Sequence, residues 1–186
     1  MMISIDRLRR ALAFLFLAGA FLSGNVALAQ SEVSTESRVK AAYVYNFAKY
    51  VEWPGVAAQG PLRLCIAGSD SLDRMLEALE GRQAQGRVIQ VMKGVPLAQL
   101  RHCQMVFVGR GDAALLHDVV QATSGAAVLV VGDADGFIGA GGGIGLVVAD
   151  DRVRFEVNAE ALKLGRLRAS AQMLKLARNA AELTVR

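Results

Sequence analysis

Two cysteines, Cys65 and Cys103, have the clearest chemistry in this sequence. Each lies in an apolar run of the kind that forms a buried strand, so the two thiols could face each other across a sheet. In an oxidising compartment an even pair of cysteines is interpreted first as a disulfide. Two buried free thiols are the alternative. The C-x-x-C spacing of redox enzymes is absent, so the pair does not predict a dithiol active site.

The segment Gly109–Ala114 matches the G-x-G-x-x-A pattern of a dinucleotide site, and it lies between a predicted strand and a predicted helix. In that interpretation the helix N-terminus receives the pyrophosphate and Asp133 binds the ribose. A tight turn with Asp112 as the helix N-cap is the alternative. An acid at the N-cap repels a phosphate, and the motif lies in the middle of the chain. The sequence therefore favours the turn.

The glycine-rich run Gly139–Gly145 precedes a predicted strand rather than a helix, so it lacks the helix dipole that binds phosphate. Two interpretations of this run stay open. One is a folded loop at the edge of a sheet, and the other is a loop that gates access of a ligand or a partner.

The sequence contains no recognisable catalytic or metal-binding set. Its two histidines, His102 and His117, have no carboxylate at a metal-ligand spacing, and we expect both in solvent. Ser37–Lys40 matches S-x-x-K but lacks the companion motifs of penicillin-binding enzymes, and no G-x-S-x-G nucleophile elbow occurs. We therefore expect a binding protein rather than an enzyme, with no catalytic residue, no metal and no cofactor.

The first residues have the pattern of an export signal. Basic residues around Arg10 precede the apolar run Ala11–Leu22, and an A-x-A motif ends at Ala29. The run is shorter than the roughly 20 residues that a membrane-spanning helix needs. We expect cleavage near Ala29, which gives a signal peptide over 1–29 and one mature periplasmic domain over 30–186. An uncleaved anchor is the alternative.

Composition limits the class of protein further. A chain of 186 residues with 53% hydrophobic and 20% charged residues predicts one globular domain, too small for a TIM barrel and too apolar for disorder. The net charge is only +4, and the leader supplies part of it. Proteins that bind nucleic acid have a concentrated basic surface. We therefore expect no nucleic-acid partner.

The hydrophobic periodicity predicts an alternation of helices and strands. An opening helix over 36–53 is followed by buried strands at 62–67, 87–92, 105–108 and 126–131, with a helix at 112–121. A hairpin of 144–148 and 152–157 and a helix over 159–183 end the chain. This order predicts an α/β fold, a three-layer Rossmann-like sandwich with a mostly parallel sheet, a C-terminal hairpin and a long closing helix.

The opening helix contains an aromatic stripe. Tyr43, Phe47 and Tyr50 recur at spacings of three and four residues, which places them on one buried face. We expect Trp53 to pack the end of the helix against the sheet. The stripe is therefore predicted to be mainly structural.

The second hairpin strand, residues 152–157, alternates apolar with charged side chains, so one face packs inward. Glu156 lies between two bulky apolar residues, where a carboxylate needs a partner. One interpretation places Glu156 with Ile144 and Leu162 in a contact patch for a partner protein, because an apolar centre with a charged rim is typical of interfaces. An exposed glutamate on a polar face is the alternative.

The segment Ala41–Pro54 resembles the opening signature of the YfiR-like family. The strands that contain Cys65 and Cys103, the run Gly141–Ile144 before the hairpin, and Leu167–Ala177 resemble later segments of the same family. The residues of the opening motif, which we expect to be mainly structural, are Tyr43, Tyr45, Asn46, Phe47, Trp53 and Pro54.

This resemblance implies an exported protein that represses a membrane-anchored diguanylate cyclase of the inner membrane by binding its periplasmic sensor domain. Such a repressor lowers cyclic di-GMP signalling and hence biofilm formation. The resemblance also implies sequestration by an outer-membrane lipoprotein, and a homodimer stays open. Some relatives have four cysteines, and a switch based on a second disulfide is unavailable here. The alternative function is a periplasmic small-ligand-binding protein that uses the glycine-rich rim of the sheet.

Overall fold

The structure is a computed structural model that describes residues 29–55, 59–69 and 72–183. The chain divides into two compact units, Met1–Thr35 and Glu36–Arg186, and the architecture below is that of the second unit. The predicted signal peptide lies outside the described residues except for Ala29, so its cleavage stays a prediction.

The sheet has seven strands in the order β3-β4-β2-β5-β6-β7-β8. Its strands are β2 (Leu62–Ala67), β3 (Gln83–Ala84), β4 (Arg87–Lys93), β5 (Met105–Val108), β6 (Leu129–Gly132), β7 (Ile144–Ala149) and β8 (Arg152–Val157). The five inner strands are parallel to one another. The edge strands β3 and β8 are antiparallel. The predicted mostly parallel sheet with a C-terminal hairpin is confirmed.

Helices cover both faces of this sheet, which explains why its central strands are almost purely apolar. On one face the opening helix α1 (Ala29–Tyr50) and α2 (Asp73–Glu77) pack on the inward side chains of β2, β5 and β6. On the other face lie two 3-10 helices, Leu97–His102 and Arg110–Leu115, and α3 (Leu116–Thr123). The fold is therefore the predicted three-layer α/β sandwich.

The opening helix ends earlier than predicted. It stops at Tyr50, and Val51–Glu52 form the short strand β1, which pairs antiparallel with β9 (Arg168–Ala169). Phe47 is buried at 1% exposure, as predicted, whereas Tyr50 is 42% exposed, which corrects its place on the buried stripe. The physical reason is that the change to extended backbone turns Val51 inward in place of Tyr50.

The long closing helix predicted over 159–183 is wrong. The segment contains α4 (Ala159–Leu164), the strand β9, α5 (Ala171–Leu174) and α6 (Ala180–Leu183). Arg166 adopts a left-handed backbone conformation with φ of 53° just after α4, which a continuing helix does not allow. The Ser170 hydroxyl then accepts a hydrogen bond from the Met173 amide and caps a new helix. Local backbone chemistry therefore overrides the helical periodicity.

The break in the closing segment also changes which side chains face the core. Met173 and Ala177 are buried, whereas Leu176 is 73% exposed. The hairpin turn, by contrast, follows the sequence signal. Asp150 and Asp151 both have positive φ, as a tight two-residue hairpin loop requires.

Candidate functional site

The two cysteines form a disulfide, as predicted. Cys65 on β2 and Cys103, just before β5, have Cα atoms 6.1 Å apart, and both are buried among the side chains of the α3 face. Because β2 and β5 are adjacent parallel strands, the bond joins the middle of the sheet covalently. Buried sulfurs in this position indicate a structural staple.

Asp133, the candidate ribose ligand, is buried in an ion pair. Its carboxylate accepts a hydrogen bond of 2.6 Å from the Lys40 ammonium and one of 2.7 Å from the Arg110 amide. Burial alone would lower the pKa of Lys40, but its hydrogen bonds to Asp133 and Glu36 outweigh burial and raise it. The side chain that a nucleotide would need is thus already used to fix α1 to the carboxyl end of β6.

Asp112 is not the N-cap of the helix after β5. Gly109 is at the cap position there, without a side-chain cap. The Asp112 carboxylate instead accepts a hydrogen bond of 2.8 Å from the Ser69 amide. A Cβ atom on Gly68 would lie 2.2 Å from the Asp112 Cγ. Asp112 therefore lies against the loop that follows β2, where a dinucleotide would have to approach.

The glycine-rich run is a folded loop that holds Phe137. A Cβ atom on Gly132 or on Gly142 would lie 2.2 or 2.1 Å from the ring of Phe137, so both positions require glycine. The ring is 3% exposed. Of the two interpretations of the run, this packing supports the folded loop.

A cavity of about 190 Å³ lies beside the same run. Gly141 and Gly143 form part of its lining, together with the loop after α3 and the first turn of α4. Its polar lining includes Asn158 and Glu160. The cavity is large enough for a small ligand, and it is the one observation that favours the ligand-binding alternative.

Part of the opening motif packs inside the domain. Tyr43, Phe47 and Phe155 form a cluster in which the rings of Phe47 and Phe155 meet edge to face at 5.2 Å. The Trp53 indole donates a hydrogen bond of 3.0 Å to the Gln104 carbonyl, which ties the end of α1 to the start of β5. These contacts bring α1, the sheet and the hairpin together.

The remaining motif residues are closer to the surface. The hydroxyl of Tyr45 donates to the Gln83 carbonyl at 2.9 Å, and the Arg82 guanidinium lies 3.9 Å from the centre of its ring. Asn46 is half-buried and Pro54 is exposed. Asn46 also lines an apolar cavity of about 170 Å³ between α1 and α5.

The proposed contact patch does not form as an apolar surface. Ile144 is 0% exposed and Leu162 is 6% exposed, because both side chains belong to the main core. Glu156 forms an ion pair with Arg178 from the closing segment. The expected apolar centre is therefore absent at Ile144 and Leu162, whereas contact of Glu156 with a partner protein stays a prediction.

The outer edge of β8 is covered by two residues that the sequence did not single out. The Asn179 amide group accepts from the Val157 amide at 3.0 Å and donates to the Val157 carbonyl at 2.9 Å. The Arg178 amide donates to the Phe155 carbonyl at 2.8 Å. Asn179 thus bonds Val157 as the backbone of a neighbouring strand would. The one sequence signal for this contact is that Asn179 follows the interrupted closing helix.

His102 and His117 are both exposed, as expected. Within residues 29–55, 59–69 and 72–183, no three side chains of His, Cys, Asp or Glu are grouped as metal ligands would be.

One known protein family matches most of this chain. The family model described as YfiR/HmsC-like matches residues 37–178, which include α1 from Ser37 onward, the whole sheet and most of the closing segment. The chain belongs to the YfiR/HmsC-like family. Among proteins with curated descriptions, no sequence matches the chain.

The chain is similar to two solved structures. A conserved domain protein from Vibrio cholerae O1 biovar El Tor strain N16961 has a TM-score of 0.54 at 11% identity, with 74% of this chain and 58% of that chain covered. The chain thus spans little more than half of that protein, and the similarity concerns the fold alone. The ABC domain in complex with L-Trp from Streptococcus pneumoniae has a TM-score of 0.47 at 8% identity, with 77% and 59% covered.

Proteins of the YfiR/HmsC-like family are periplasmic regulators of diguanylate cyclase signalling rather than catalysts. The family acts through a membrane-bound diguanylate cyclase. None of the described helices is long and apolar enough to cross a membrane.

Proposed function

We propose that this protein represses a membrane-anchored diguanylate cyclase by binding the periplasmic sensor domain of that cyclase. The family match over residues 37–178 carries this proposal. The mature domain then lies in the periplasm after removal of residues 1–29, and it lowers cyclic di-GMP without contacting the nucleotide. Sequestration by an outer-membrane lipoprotein would release the cyclase.

The architecture supports a binding role over a catalytic one. Its buried acids Asp133 and Asp73 form ion pairs with Lys40 and Lys93, and its cysteines are joined in a disulfide. The polar groups that reach the surface near the hairpin, Glu156 and Arg178, bind each other. Residues paired in this way stabilise the fold, and none of the residues named here is an activated nucleophile.

The direct test uses the periplasmic domain of a diguanylate cyclase from the same genome. We expect the mature wild-type protein to bind it in solution, and deletion of the gene to raise cellular cyclic di-GMP. A folded Glu156→Lys variant should bind more weakly if Glu156 contacts the cyclase. Glu52→Lys makes the same charge change at an exposed position on β1 and is the control. Absence of wild-type binding to every such domain would refute the repressor function.

The second candidate function is the binding of a small ligand at the glycine-rich rim. The cavity of about 190 Å³ beside Gly141 and Gly143 favours it. Native mass spectrometry of protein purified from the periplasm would detect a retained small molecule. Substitution of Ala161 by Phe, which places a ring in the cavity lining, should abolish that retention. Protein without any bound molecule, and without a thermal shift in a metabolite screen, would contradict this candidate.

A further inference from the structure

The outer edge of β8 is covered by a segment that imitates a neighbouring strand. In an antiparallel ladder the amide and carbonyl of one residue point to the same side. Because the Asn158 amide donates to the Gly143 carbonyl, toward β7, the groups of Val153, Phe155 and Val157 point outward. Val157 is bonded twice by Asn179, and the Phe155 carbonyl accepts from the Arg178 amide.

Residues 175–183, which we call the strap, are attached weakly to the rest of the domain. Ala177 is the strap residue with a buried side chain among those described, whereas Leu176 is 73% exposed. Leu183 packs, half-buried, against the main core, and the strap also makes polar contacts to β8, including the ion pair of Arg178 with Glu156. Segments with few buried apolar contacts open locally at a low free energy. The strap can therefore detach while the preceding Met173 stays in the core.

Under the strap, β8 keeps groups that a further strand would use. The outward amides of Val153 and Phe155 have no acceptor among the described residues, and the Val153 carbonyl accepts a 3.3 Å hydrogen bond from the Tyr43 hydroxyl. Arg152 and Arg154 are exposed on the other face of the same strand. A partner strand with acidic side chains opposite these arginines would complete the ladder, because opposite charges across a ladder stabilise it.

We infer that the strap is a releasable cover and that an extended, acidic segment of the cyclase periplasmic domain replaces it by pairing with β8 from Val153 to Val157. This inference rests on the proposed function for the identity of the partner. The strap already bonds the same outward groups of β8 as that segment would: the Asn179 amide group takes the place of a peptide unit at Val157, and the Arg178 amide donates to the Phe155 carbonyl. Addition of a strand to a sheet edge is a known mode of protein recognition.

Proline substitution tests the pairing directly. Val153→Pro removes one outward amide and leaves the bonds between β7 and β8, since proline is tolerated on a sheet edge. Val91→Pro is the control on β4, near the opposite edge of the sheet, and removes an amide that donates to the Glu80 carboxylate. We expect Val153→Pro to weaken cyclase-domain binding about tenfold or more, which corresponds to about 1.4 kcal/mol or more, and Val91→Pro to bind like wild type.

Release of the strap is tested by a variant that should strengthen binding instead of weakening it. Asn179→Ala removes both hydrogen bonds to Val157 and favours the open edge, so it should bind the cyclase domain more tightly than wild type. Gln172→Ala, which removes an exposed amide side chain outside the strap, is the control. In the complex, hydrogen exchange of the Val153 and Phe155 amides should slow, since both gain an acceptor.

The outcomes separate this inference from the proposed function. If wild type does not bind the cyclase domain, the proposed function and this partner are both refuted. If wild type and a folded Val153→Pro variant bind equally, the repressor function stands and pairing at β8 is refuted. If Asn179→Ala binds no more tightly, or if the Val153 and Phe155 amides exchange at unchanged rates in the complex, the strap is a permanent cover and the inference is overturned.

Discussion

The centre of the sheet and its hairpin edge are stabilised by different kinds of contact. In the centre, β5 and β6 are buried along their whole length, and a disulfide joins β2 to Cys103, two residues before β5. At the edge, β8 is covered by the Asn179 amide group, a backbone hydrogen bond and an exposed ion pair. Apolar burial and covalent bonds fix a structure, whereas polar edge contacts can be exchanged for those of a partner at little cost.

The family motif belongs to the rigid, buried part of the molecule, although it also contacts the hairpin. Phe47 contacts Phe155 on β8, and Tyr43 donates to the Val153 carbonyl. Phe47 therefore packs against the inner face of β8, while Tyr43 bonds to the outer edge that the strap also covers. This arrangement predicts that substitutions in the motif affect global stability, and that substitutions in the strap affect mainly the local opening of the edge.

The largest effect is expected at Phe47. Phe47→Ala removes a fully buried ring from the contact between α1 and β8, and it should lower the free energy of unfolding by about 3–5 kcal/mol. Urea unfolding measures this change. Leu176→Ala is the matched control, since this side chain is 73% exposed and its loss should change stability by less than about 0.5 kcal/mol. Equal midpoints for Phe47→Ala and wild type would show that α1 does not stabilise the domain.

The disulfide should have the next largest effect. Joint replacement of Cys65 and Cys103 by alanine removes a covalent loop and should cost about 2–4 kcal/mol, with the fold retained because the core is large. The test compares urea midpoints with and without a reductant. The reductant should lower the midpoint of wild type toward that of the double variant and leave the double variant unchanged. A wild-type midpoint that does not respond to full reduction would contradict a stabilising bond.

The sequence predicted the central part of the fold better than its end. The strands around Cys65 and Cys103 and the hairpin have strong local signals, either a continuous apolar run or a turn that tolerates positive φ. The closing segment has helical periodicity, yet Arg166 turns left-handed and β9 pairs with β1, more than a hundred residues earlier. A pairing between distant residues leaves no periodic trace, so the long helix was predicted wrongly.

The functional residues show the same limit. The alternation along β8 indicated that Glu156 needs a partner, but nothing in it identified Arg178, which follows in a separate segment. The positions of Ile144 and Leu162 near Glu156 in the sequence suggested a surface, although both side chains lie in the core. The glycine run indicated a special loop, but only the structure shows Phe137 between Gly132 and Gly142.

A smaller, pH-dependent effect is expected from the buried ion pair. The folded state raises the pKa of Lys40, mainly because its bonds to Asp133 and Glu36 outweigh the opposing effect of burial. Its contribution to stability is therefore fully present below the pKa of an unfolded lysine, about 10.4, and is lost as pH rises through the higher folded pKa. Thermal unfolding of wild type and Lys40→Met should converge above that range. Lys49→Met, an exposed lysine on the same helix, should stay parallel to wild type.

The smallest effect on global stability is expected at the hairpin edge. The Arg178 side chain is 58% exposed and that of Glu156 is 19% exposed, so solvent screens their ion pair. A double-mutant cycle of Arg178→Ala and Glu156→Ala should give a coupling energy of about 0.2–1 kcal/mol, and added salt should reduce it. Hydrogen exchange should nevertheless speed up at the backbone amide of residue 178 in the Arg178→Ala variant, while the amides of β5 and β6 keep their rates. A coupling energy as large as the effect of Phe47→Ala, or equal acceleration throughout the sheet, would show that the strap belongs to the cooperative core and that the two regions do not differ.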